Sequence, residues 1–417
     1  MKKFVAASQI EGEVKAPPSK SLMIRAVASA ILTERRAVTI ENPSVCDDAV
    51  AALAVAEGLG AEVRREPDRV VIEAGVRPPS RYLSCGESGL CLRLFPAVAA
   101  LRTEEFVLDG RGSVLSRPLS MLEGPLRALG ARCETRGGFA PVVVQGPLRG
   151  GRADVDGGLS SQALTGLLLA LPRAPGDSEL VVPDLKSRAY VDVTREFLRG
   201  AGIVVRGRAP GVLRIAGGQS YDRTVYAVEG DWSGAAFLLV AGALAGSIRV
   251  RGLDPGSFQA DRAICNALRL CGADVTVTGS LVGASRRDLR AFSIDLTGAP
   301  DLFPPLVALA CFCEGTTRLA GVDRLRHKES DRAVVLQEEF GRLGADIRLE
   351  GNDMLIRGGM LCGGTVDPHG DHRVAMALAV AGLRAAAEVV LEDAECAGKS
   401  YPEFFEDLAE VGGRIHE

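Results

Sequence analysis

The sequence is poor in the patterns that mark metal, redox and nucleic-acid-binding proteins. Only four histidines occur in 417 residues, and they are too scattered to suggest a metal site. Ten cysteines are present, but no pair has C-x-x-C spacing, which favours reduced thiols over a zinc site or a disulfide framework. The net charge of −4 provides no overall positive field for nucleic acid. We therefore expect no metal, no cofactor and no nucleic-acid partner.

Long apolar runs and targeting signals are lacking as well. The longest uncharged apolar run, near Ala235 to Ile248, is too short to span a bilayer and predicts a buried helix. The apolar stretch at the N-terminus is shorter than a signal-peptide core, and Glu11 and Glu13 follow it closely. With 47% apolar residues, the chain can bury a large core in two or three domains. These features predict a cytoplasmic enzyme without a membrane partner.

One pattern recurs about every seventy residues, a period longer than that of the usual solenoid repeats. In each copy a Ser or Asp among small residues precedes an Ala- and Leu-rich helix and is a candidate N-cap. The candidate caps are Ser19, Ser88, Ser160, Asp231, Asp301 and Asp371.

A second marker recurs with the same period. A second helix in each copy ends at a glycine that precedes a strand-like segment. These glycines are Gly60, Gly130, Gly202, Gly272, Gly344 and Gly412. Two markers with one period predict six α/β (α+β) copies of a βαβαββ unit, most of them closed by a hairpin.

Cations at several helix starts are not explained by capping. Lys20 and Arg25 accompany the first candidate helix, and Arg373 accompanies the last. A positive charge at a helix N-terminus opposes the helix dipole, whereas a bound anion would be stabilised there. If six equivalent helices surround pseudo-symmetry axes, their starts can face a common cleft. The pattern therefore predicts an anion-binding site formed by helix starts.

Several motifs together resemble the 5-enolpyruvylshikimate-3-phosphate synthase family. They are "SKSLMIR", "SSQALTGLLLA", "KSRAYVDVT", "RHKESDR", "GDHRVAMA" and "AGKSYPEFF", and they run from Lys20 to Phe405 in the family's order. The resemblance implies two lobes of three βαβαββ units each, with a cleft between them. Lobe I would comprise residues 1–15 and 229–417, and lobe II residues 16–228. It also implies a transferase of the shikimate pathway of aromatic amino acid biosynthesis, acting as a monomer without a cofactor.

The resemblance further implies shikimate 3-phosphate and phosphoenolpyruvate as substrates. The 5-hydroxyl of the first would add to C2 of the second as C3 is protonated, and the tetrahedral intermediate would then lose phosphate. Asp301 would take the hydroxyl proton, and Glu329 would protonate C3, with Lys20 as its rival. The shikimate 3-phosphate site would comprise Lys20, Ser21, Arg25, Ser160, Ser161, Gln162, Ser187, Tyr190, Asp301 and Lys328. The phosphoenolpyruvate site would comprise Lys20, Gly89, Arg117, Gln162, Arg332, His372, Arg373 and Lys399.

The chain departs from the common family pattern at two places. Many relatives have Asn-Ala-Gly-Thr where this chain reads "ESGL", from Glu87 to Leu90, and an asparagine where Arg324 stands.

Two alternative functions stay open. A UDP-N-acetylglucosamine enolpyruvyl transferase would usually have Lys-Asn at Lys20 and Ser21, with a reactive cysteine in the second repeat. No cysteine lies between Cys91 and Cys133. A non-catalytic anion-binding repeat scaffold is the more remote alternative.

Overall fold

The chain forms two compact units. The computed structural model describes residues 1–33 and 37–417. Unit 1 contains Met1–Pro17 and Glu229–Glu417, and unit 2 contains Pro18–Val228. Unit 2 is thus one continuous segment, whereas unit 1 is assembled from the segments on either side of it.

Strands and helices alternate along the whole described chain. The strands are β1 Lys3–Ala6, β2 Ile10–Lys15, β3 Ala37–Glu41, β4 Glu62–Arg65, β5 Arg69–Glu73, β6 Tyr82–Ser84, β7 Glu105–Asp109, β8 Arg132–Arg136, β9 Phe139–Gln145, β10 Gly151–Asp154, β11 Ser178–Val182, β12 Val205–Gly207, β13 Gly211–Ile215, β14 Val225–Ala227, β15 Gly246–Arg251, β16 Asp274–Thr278, β17 Leu281–Ser285, β18 Ser293–Asp295, β19 Thr316–Ala320, β20 Asp346–Glu350, β21 Asp353–Arg357, β22 Gly364–Val366, β23 Val389–Leu391 and β24 Arg414–His416.

The α-helices fall into an inner and an outer set. The inner helices are α1 Lys20–Leu32, α3 Gly89–Ala99, α5 Gln162–Ala170, α7 Trp232–Ala245, α9 Phe303–Ala310 and α11 His372–Gly382. The outer helices are α2 Asp47–Gly58, α4 Glu123–Ala128, α6 Arg188–Gly200, α8 Ile264–Leu270, α10 Arg332–Arg342 and α12 Phe404–Glu410.

All six sheets of the described residues follow one strand order. In the sheet β6-β7-β9-β8, β6 lies parallel to β7, β9 lies antiparallel to β7, and β8 lies antiparallel to β9. Helix α3 connects β6 to β7, and α4 connects β7 to β8, so this sheet and its helices form one βαβαββ unit. The sheets β10-β11-β13-β12 and β18-β19-β21-β20 repeat the pattern. The predicted six copies, three in each unit, are confirmed.

Three sheets take a strand from a distant part of the sequence. Strand β2 precedes α1 but pairs in parallel with β15, and β14 precedes α7 but pairs in parallel with β3. Strand β1 lies between β23 and β24 and replaces the fourth strand of the last copy. The first strands of two copies are therefore exchanged where the chain passes between the units, and the hairpin of the last copy is replaced by β24 and β1.

The inner helices form the core of each unit. Helices α1, α3 and α5 pack against one another in unit 2, as do α7, α9 and α11 in unit 1. Every residue of α3, α7 and α11 is buried. Apart from a few polar residues near their starts, these helices are apolar around their circumference, which allows protein to pack on all sides of them. The buried helix predicted near Ala235 to Ile248 is α7, and the apolar run continues into β15 at Gly246. Within the described residues, no helix has the length and apolarity needed to cross a membrane.

The six predicted stop glycines share a left-handed backbone. Their φ angles are 89° at Gly60, 100° at Gly130, 84° at Gly202, 92° at Gly272, 91° at Gly344 and 105° at Gly412. At the first of them, Gly60 N donates to Glu57 O and Ala61 N donates to Ala56 O, at 2.9 and 3.0 Å. These two bonds satisfy the last carbonyls of α2, as expected of a helix that ends in a glycine. The predicted ends of the outer helices are confirmed.

Candidate active site

Three of the six candidate caps hold the start of an inner helix through their side chains. The hydroxyl of Ser88 accepts a hydrogen bond from Cys91 N, 3.3 Å away. Asp231 accepts from the backbone of α7, and Asp371 accepts from Arg373 N at 3.1 Å. Each bond satisfies a backbone donor that a helix start leaves without an internal partner. The cap predictions for Ser88, Asp231 and Asp371 are confirmed.

The cap prediction for Ser19 is confirmed in position only, and those for Ser160 and Asp301 are wrong. Ser19 stands at the N-cap position of α1, but its side chain makes no capping bond. Ser160 lies one residue too early, because Ser161 is the N-cap residue of α5 and Ser160 Oγ accepts from Gln162 N at 3.2 Å. Asp301 lies inside a short 3₁₀ turn before α9, and its carboxylate binds cations instead of the helix. Ser19 therefore makes no capping bond and Asp301 binds cations, whereas Ser160 still accepts from the first N–H of α5.

Arg25 is the buried cation of α1. Only 2% of it is exposed, and its Nε donates to Thr194 Oγ1 at 3.0 Å. Its Nη1 donates to the carbonyl of Ser21 at 2.7 Å, and its Nη2 donates to that of Tyr190 at 3.3 Å. Burial lowers the pKa of Arg25 to about 10, against an opposing effect of Tyr190. The guanidinium thus remains charged at neutral pH, and these three neutral oxygens fix its position.

Lys20 opens α1 and is paired with an acid from the next helix. Its Nζ lies 3.1 Å from Asp48 Oδ2, and both side chains are largely buried. Asp48 belongs to the first turn of α2. The ion pair holds the ammonium group at the helix start, where the dipole alone would repel it.

The starts of α3 and α5 carry further predicted site residues of unit 2. Arg117 is only 7% exposed, and a Cβ placed on Gly89 would lie 2.5 Å from Arg117 Nη1. Only glycine therefore allows the guanidinium to rest against this helix start. Gln162 is the first residue of α5 and is half-buried. The remaining predicted residues are buried Ser161 at the start of α5, buried Ser187 at the start of α6, and half-buried Tyr190 in its first turn.

Arg332 is the centre of the charged cluster in unit 1. It is fully buried at the start of α10 and contacts three carboxylates. Its Nη1 lies 2.9 Å from Asp301 Oδ1, its Nε 2.9 Å from Asp371 Oδ2, and its Nη2 2.5 Å from Glu329 Oε2. Burial would lower the pKa of Arg332, but these three carboxylates outweigh burial and raise it above its ordinary value.

Asp301 joins Arg332 to two more cations. Lys328 Nζ lies 3.1 Å from Asp301 Oδ1, and Arg373 Nη2 lies 3.3 Å from Asp301 Oδ2. Burial would raise the pKa of Asp301, but Arg373, Lys328 and Arg332 together hold it well below its usual range. The side chain is therefore an ionised acceptor surrounded by donors.

Two predicted residues of unit 1 add buried polar groups. His372 is the first residue of α11 and is 1% exposed, and Lys399 ends a 3₁₀ turn and is 4% exposed. His372, Glu329 and Asp371 each offer a potential metal-ligand atom within 4.8 Å of the others. Arg332 already bonds both carboxylates, so a metal ion would have to displace a fixed positive charge.

The structure adds three charged residues that the motifs did not assign to the site. Asp48 holds Lys20, and Arg93 donates to Gln162. Asp261 is buried and accepts from Ser233 Oγ at 2.6 Å, and burial, followed by the charge of Asp301, raises its pKa to about 6. Arg93 lies in the second turn of α3 and has the same signal in the sequence as Arg25, a cation close to a predicted helix start. Asp48 and Asp261 gave no comparable signal, because each comes from a different element than the group it accompanies.

Known proteins similar to this chain cover its whole length. The family model for EPSP synthase (3-phosphoshikimate 1-carboxyvinyltransferase) matches residues 5–408. A 3-phosphoshikimate 1-carboxyvinyltransferase from Aeropyrum pernix is 40% identical over 99% of this chain and 96% of its own length. One from Methanocorpusculum labreanum is 37% identical over 100% of both chains. The solved structure of EPSP synthase from Acinetobacter baumannii has a TM-score of 0.84 and 26% identity, covering 100% of this chain and 99% of that one.

Proposed function

The chain belongs to the EPSP synthase family, and we propose that the charged clusters of its two units bind the substrates and move the protons of that family's reaction. The reaction transfers the enolpyruvyl group of phosphoenolpyruvate to the 5-hydroxyl of shikimate 3-phosphate and releases phosphate. The chain is therefore a transferase of the shikimate pathway, which leads to aromatic amino acids. The assignment of residues to the two substrates rests on the buried cations at the helix starts.

In unit 2, Arg25 is the proposed main ligand of shikimate 3-phosphate. Its guanidinium is buried, charged and bonded to neutral oxygens, so an anionic group would add the missing negative charge. Hydroxyls and backbone donors at the helix starts complete a phosphate site of the kind that helix N-termini favour. The proposed ligands of shikimate 3-phosphate are Lys20, Ser21, Arg25, Ser160, Ser161, Gln162, Ser187, Tyr190, Asp301 and Lys328.

Phosphoenolpyruvate carries a phosphate and a carboxylate and needs several cations. Arginine forks suit both groups, and lysine adds a mobile point charge. We assign to this substrate the residues Lys20, Gly89, Arg117, Gln162, Arg332, His372, Arg373 and Lys399. Gly89 contributes by leaving room for Arg117.

Asp301 is the proposed acceptor of the 5-hydroxyl proton. Its low pKa keeps it ionised, and proton transfer becomes favourable as the hydroxyl oxygen bonds to C2 and turns acidic. The proton added to C3 would come from Glu329, with Lys20 as the alternative donor. Loss of phosphate and of a C3 proton from the tetrahedral intermediate then restores the double bond. Cations already in place at this stage stabilise the departing phosphate without reorganisation.

We further propose that units 1 and 2 are the two domains of a monomeric cytoplasmic enzyme. Each unit has its own buried core of three inner helices, which supports treating it as a domain. The ten free thiols are compatible with a reducing compartment.

The test is turnover by the purified protein. Shikimate 3-phosphate and phosphoenolpyruvate, without added metal or nucleotide, should yield phosphate in step with loss of phosphoenolpyruvate. Replacing Lys20 with Ala should lower kcat by about 10²–10⁴-fold at temperatures well below the variant's thermal midpoint, because a positioned proton donor and charge is removed. The midpoint itself should fall, because buried Asp48 loses its partner. The exposed Lys2, changed to Ala, is the matched control and should keep full activity. Turnover of UDP-N-acetylglucosamine in place of shikimate 3-phosphate would refute the substrate assignment.

A further inference from the structure

Arg93 joins two separate parts of unit 2 to which the proposed function gives roles. It lies in the second turn of α3 and is 3% exposed. Its Nη1 donates to Gln162 Oε1 at 2.8 Å. Its Nε and Nη2 both donate to the carbonyl of Pro118, at 3.3 and 3.0 Å. One guanidinium thus connects the start of α5 with the segment that carries Arg117.

The bond to Gln162 determines which end of the amide faces outward. A guanidinium has only donors, so the group of Gln162 facing it must be the carbonyl oxygen. The NH₂ group is consequently turned away from Arg93, and Gln162 as a whole is half-buried. Gln162 therefore presents a hydrogen-bond donor, which suits the oxygen of an anionic substrate and would repel another donor.

The bonds to Pro118 fix the position of Arg117. The two residues are adjacent, so a carbonyl held at Pro118 limits where the backbone of Arg117 can lie. The guanidinium of Arg117 rests against Gly89 in the first turn of the same helix that carries Arg93. Helix α3 thus holds this segment at two points, one at Gly89 and one at Arg93.

We propose that Arg93 is a positioning residue for the enolpyruvyl transfer, acting through the amide of Gln162 and through the Arg117–Pro118 segment. This role rests on the proposed function of those two residues. Three of the five N–H groups of Arg93 are directed to protein oxygens, so Arg93 can act through these protein contacts without contacting substrate. A change at this residue misplaces two substrate ligands, and a displacement of about 1 Å in such groups can cost 10²-fold in rate.

The main test is a double-mutant cycle between Arg93→Met and Gln162→Met, measured as kcat/KM for phosphoenolpyruvate. We expect Arg93→Met to lose about 10²-fold in the wild-type background and about tenfold or less in the Gln162→Met background. Arg93→Lys should lose about tenfold, since one ammonium cannot serve both acceptors with the geometry of a fork. Arg127→Met is the matched control, because Arg127 also donates to a backbone carbonyl of unit 2 but has no role in the site. It should stay within about twofold of wild type.

A second variant tests the orientation of the amide. Gln162→Glu keeps an oxygen toward Arg93 and strengthens that contact, but it replaces the outward NH₂ group with a second oxygen. It should be at least as impaired as Gln162→Met, with the loss mainly in KM for phosphoenolpyruvate.

The outcomes separate this role from the proposed function. If the loss in the double variant equals the product of the two single-variant losses to within about twofold, Arg93 and Gln162 are not coupled and the proposal is overturned. A fully active Gln162→Glu would overturn the proposed orientation of the Gln162 amide. If Arg93→Met lowers the thermal midpoint, the same cycle is run with Arg93→Lys, and the same criterion applies. A wild-type protein without turnover would overturn the proposed function and this role together.

Discussion

Arg332 illustrates how single residues of the proposed site are held in place. Its guanidinium forms ion pairs with Asp301, Asp371 and Glu329. Asp301 forms further ion pairs with Arg373 and Lys328. Removing one member would leave a buried charge without part of its compensation, which is costly. The charges are therefore held in place by one another before any ligand arrives, as electrostatic preorganisation requires.

Gly89 provides a test of one such placement. Changing Gly89 to Ala should raise KM for phosphoenolpyruvate about tenfold or more, because the new Cβ would lie 2.5 Å from Arg117 Nη1 and displace this guanidinium. The backbone of Gly89 is helical, so alanine itself adds no strain there. Steady-state kinetics with each substrate varied in turn provides the measurement.

Gly124→Ala is the control for this prediction. Gly124 lies in the outer helix α4, and no described atom lies within 4 Å of a Cβ added there. Its kinetic constants should match those of the wild type. An unchanged KM in Gly89→Ala would contradict the proposed role of Arg117.

Single residues were predictable to different degrees. The motifs led to Arg332 and Asp301, and the structure places both in one charged cluster. The ion pair of Lys20 with Asp48 could not be predicted, since it depends on how α2 packs beside α1. The cap predicted at Asp301 failed because a composition pattern cannot distinguish a carboxylate that binds helix N–H groups from one that binds arginines.

The helices themselves divide by position in the repeat. Inner helices are mostly apolar, and α7 is buried along its whole length, whereas an outer helix such as α10 has a buried face and an exposed face. The glycine after each outer helix reverses the chain into the next strand, and its positive φ angle explains the residue type. This element was predictable because the requirement is local, whereas the cap residues of the inner helices depend on tertiary contacts.

Two glycines three residues apart in the same region test this explanation. Gly344→Ala should destabilise the protein by about 1 kcal/mol, because its φ of 91° disfavours a Cβ and its nearest neighbour, Cys362 Sγ at 3.4 Å, leaves room for one. Gly341→Ala, inside α10 and with no described atom within 4 Å of the added Cβ, should stabilise it by about 0.5–1 kcal/mol. Urea unfolding of both variants provides the comparison, and shifts of the same sign would contradict the backbone argument.

At the scale of the whole molecule, the repeat count alone did not predict which strands complete each sheet. Counting motifs gives six copies in a row, yet β2 and β14 are exchanged and β1 completes the last copy. The repeat pattern does not show the exchange, because β2 and β14 occupy equivalent places in their copies and precede equivalent inner helices. Only the long-range pairings of β2 with β15 and of β14 with β3 distinguish the two arrangements. The family resemblance implied the exchange by placing residues 1–15 with residues 229–417.

The position of β1 makes a prediction about unit 1 as a folding unit. A chain of residues 229–417 followed by a short Gly-rich linker and residues 1–17 should unfold cooperatively, because β1 and β24 pair antiparallel and Lys3 Nζ lies 3.0 Å from Glu417 Oε1. The linker then only has to form the hairpin turn that other copies contain. Residues 229–417 alone lack β1 from the middle of one sheet and β2 from the edge of another. They should therefore show no cooperative transition in circular dichroism.

Within the linked chain, Val5→Asp is the control, because Val5 is fully buried in β1 and a charge there should abolish the transition. Equal unfolding transitions with and without residues 1–17 would show that β1 and β2 are dispensable for unit 1.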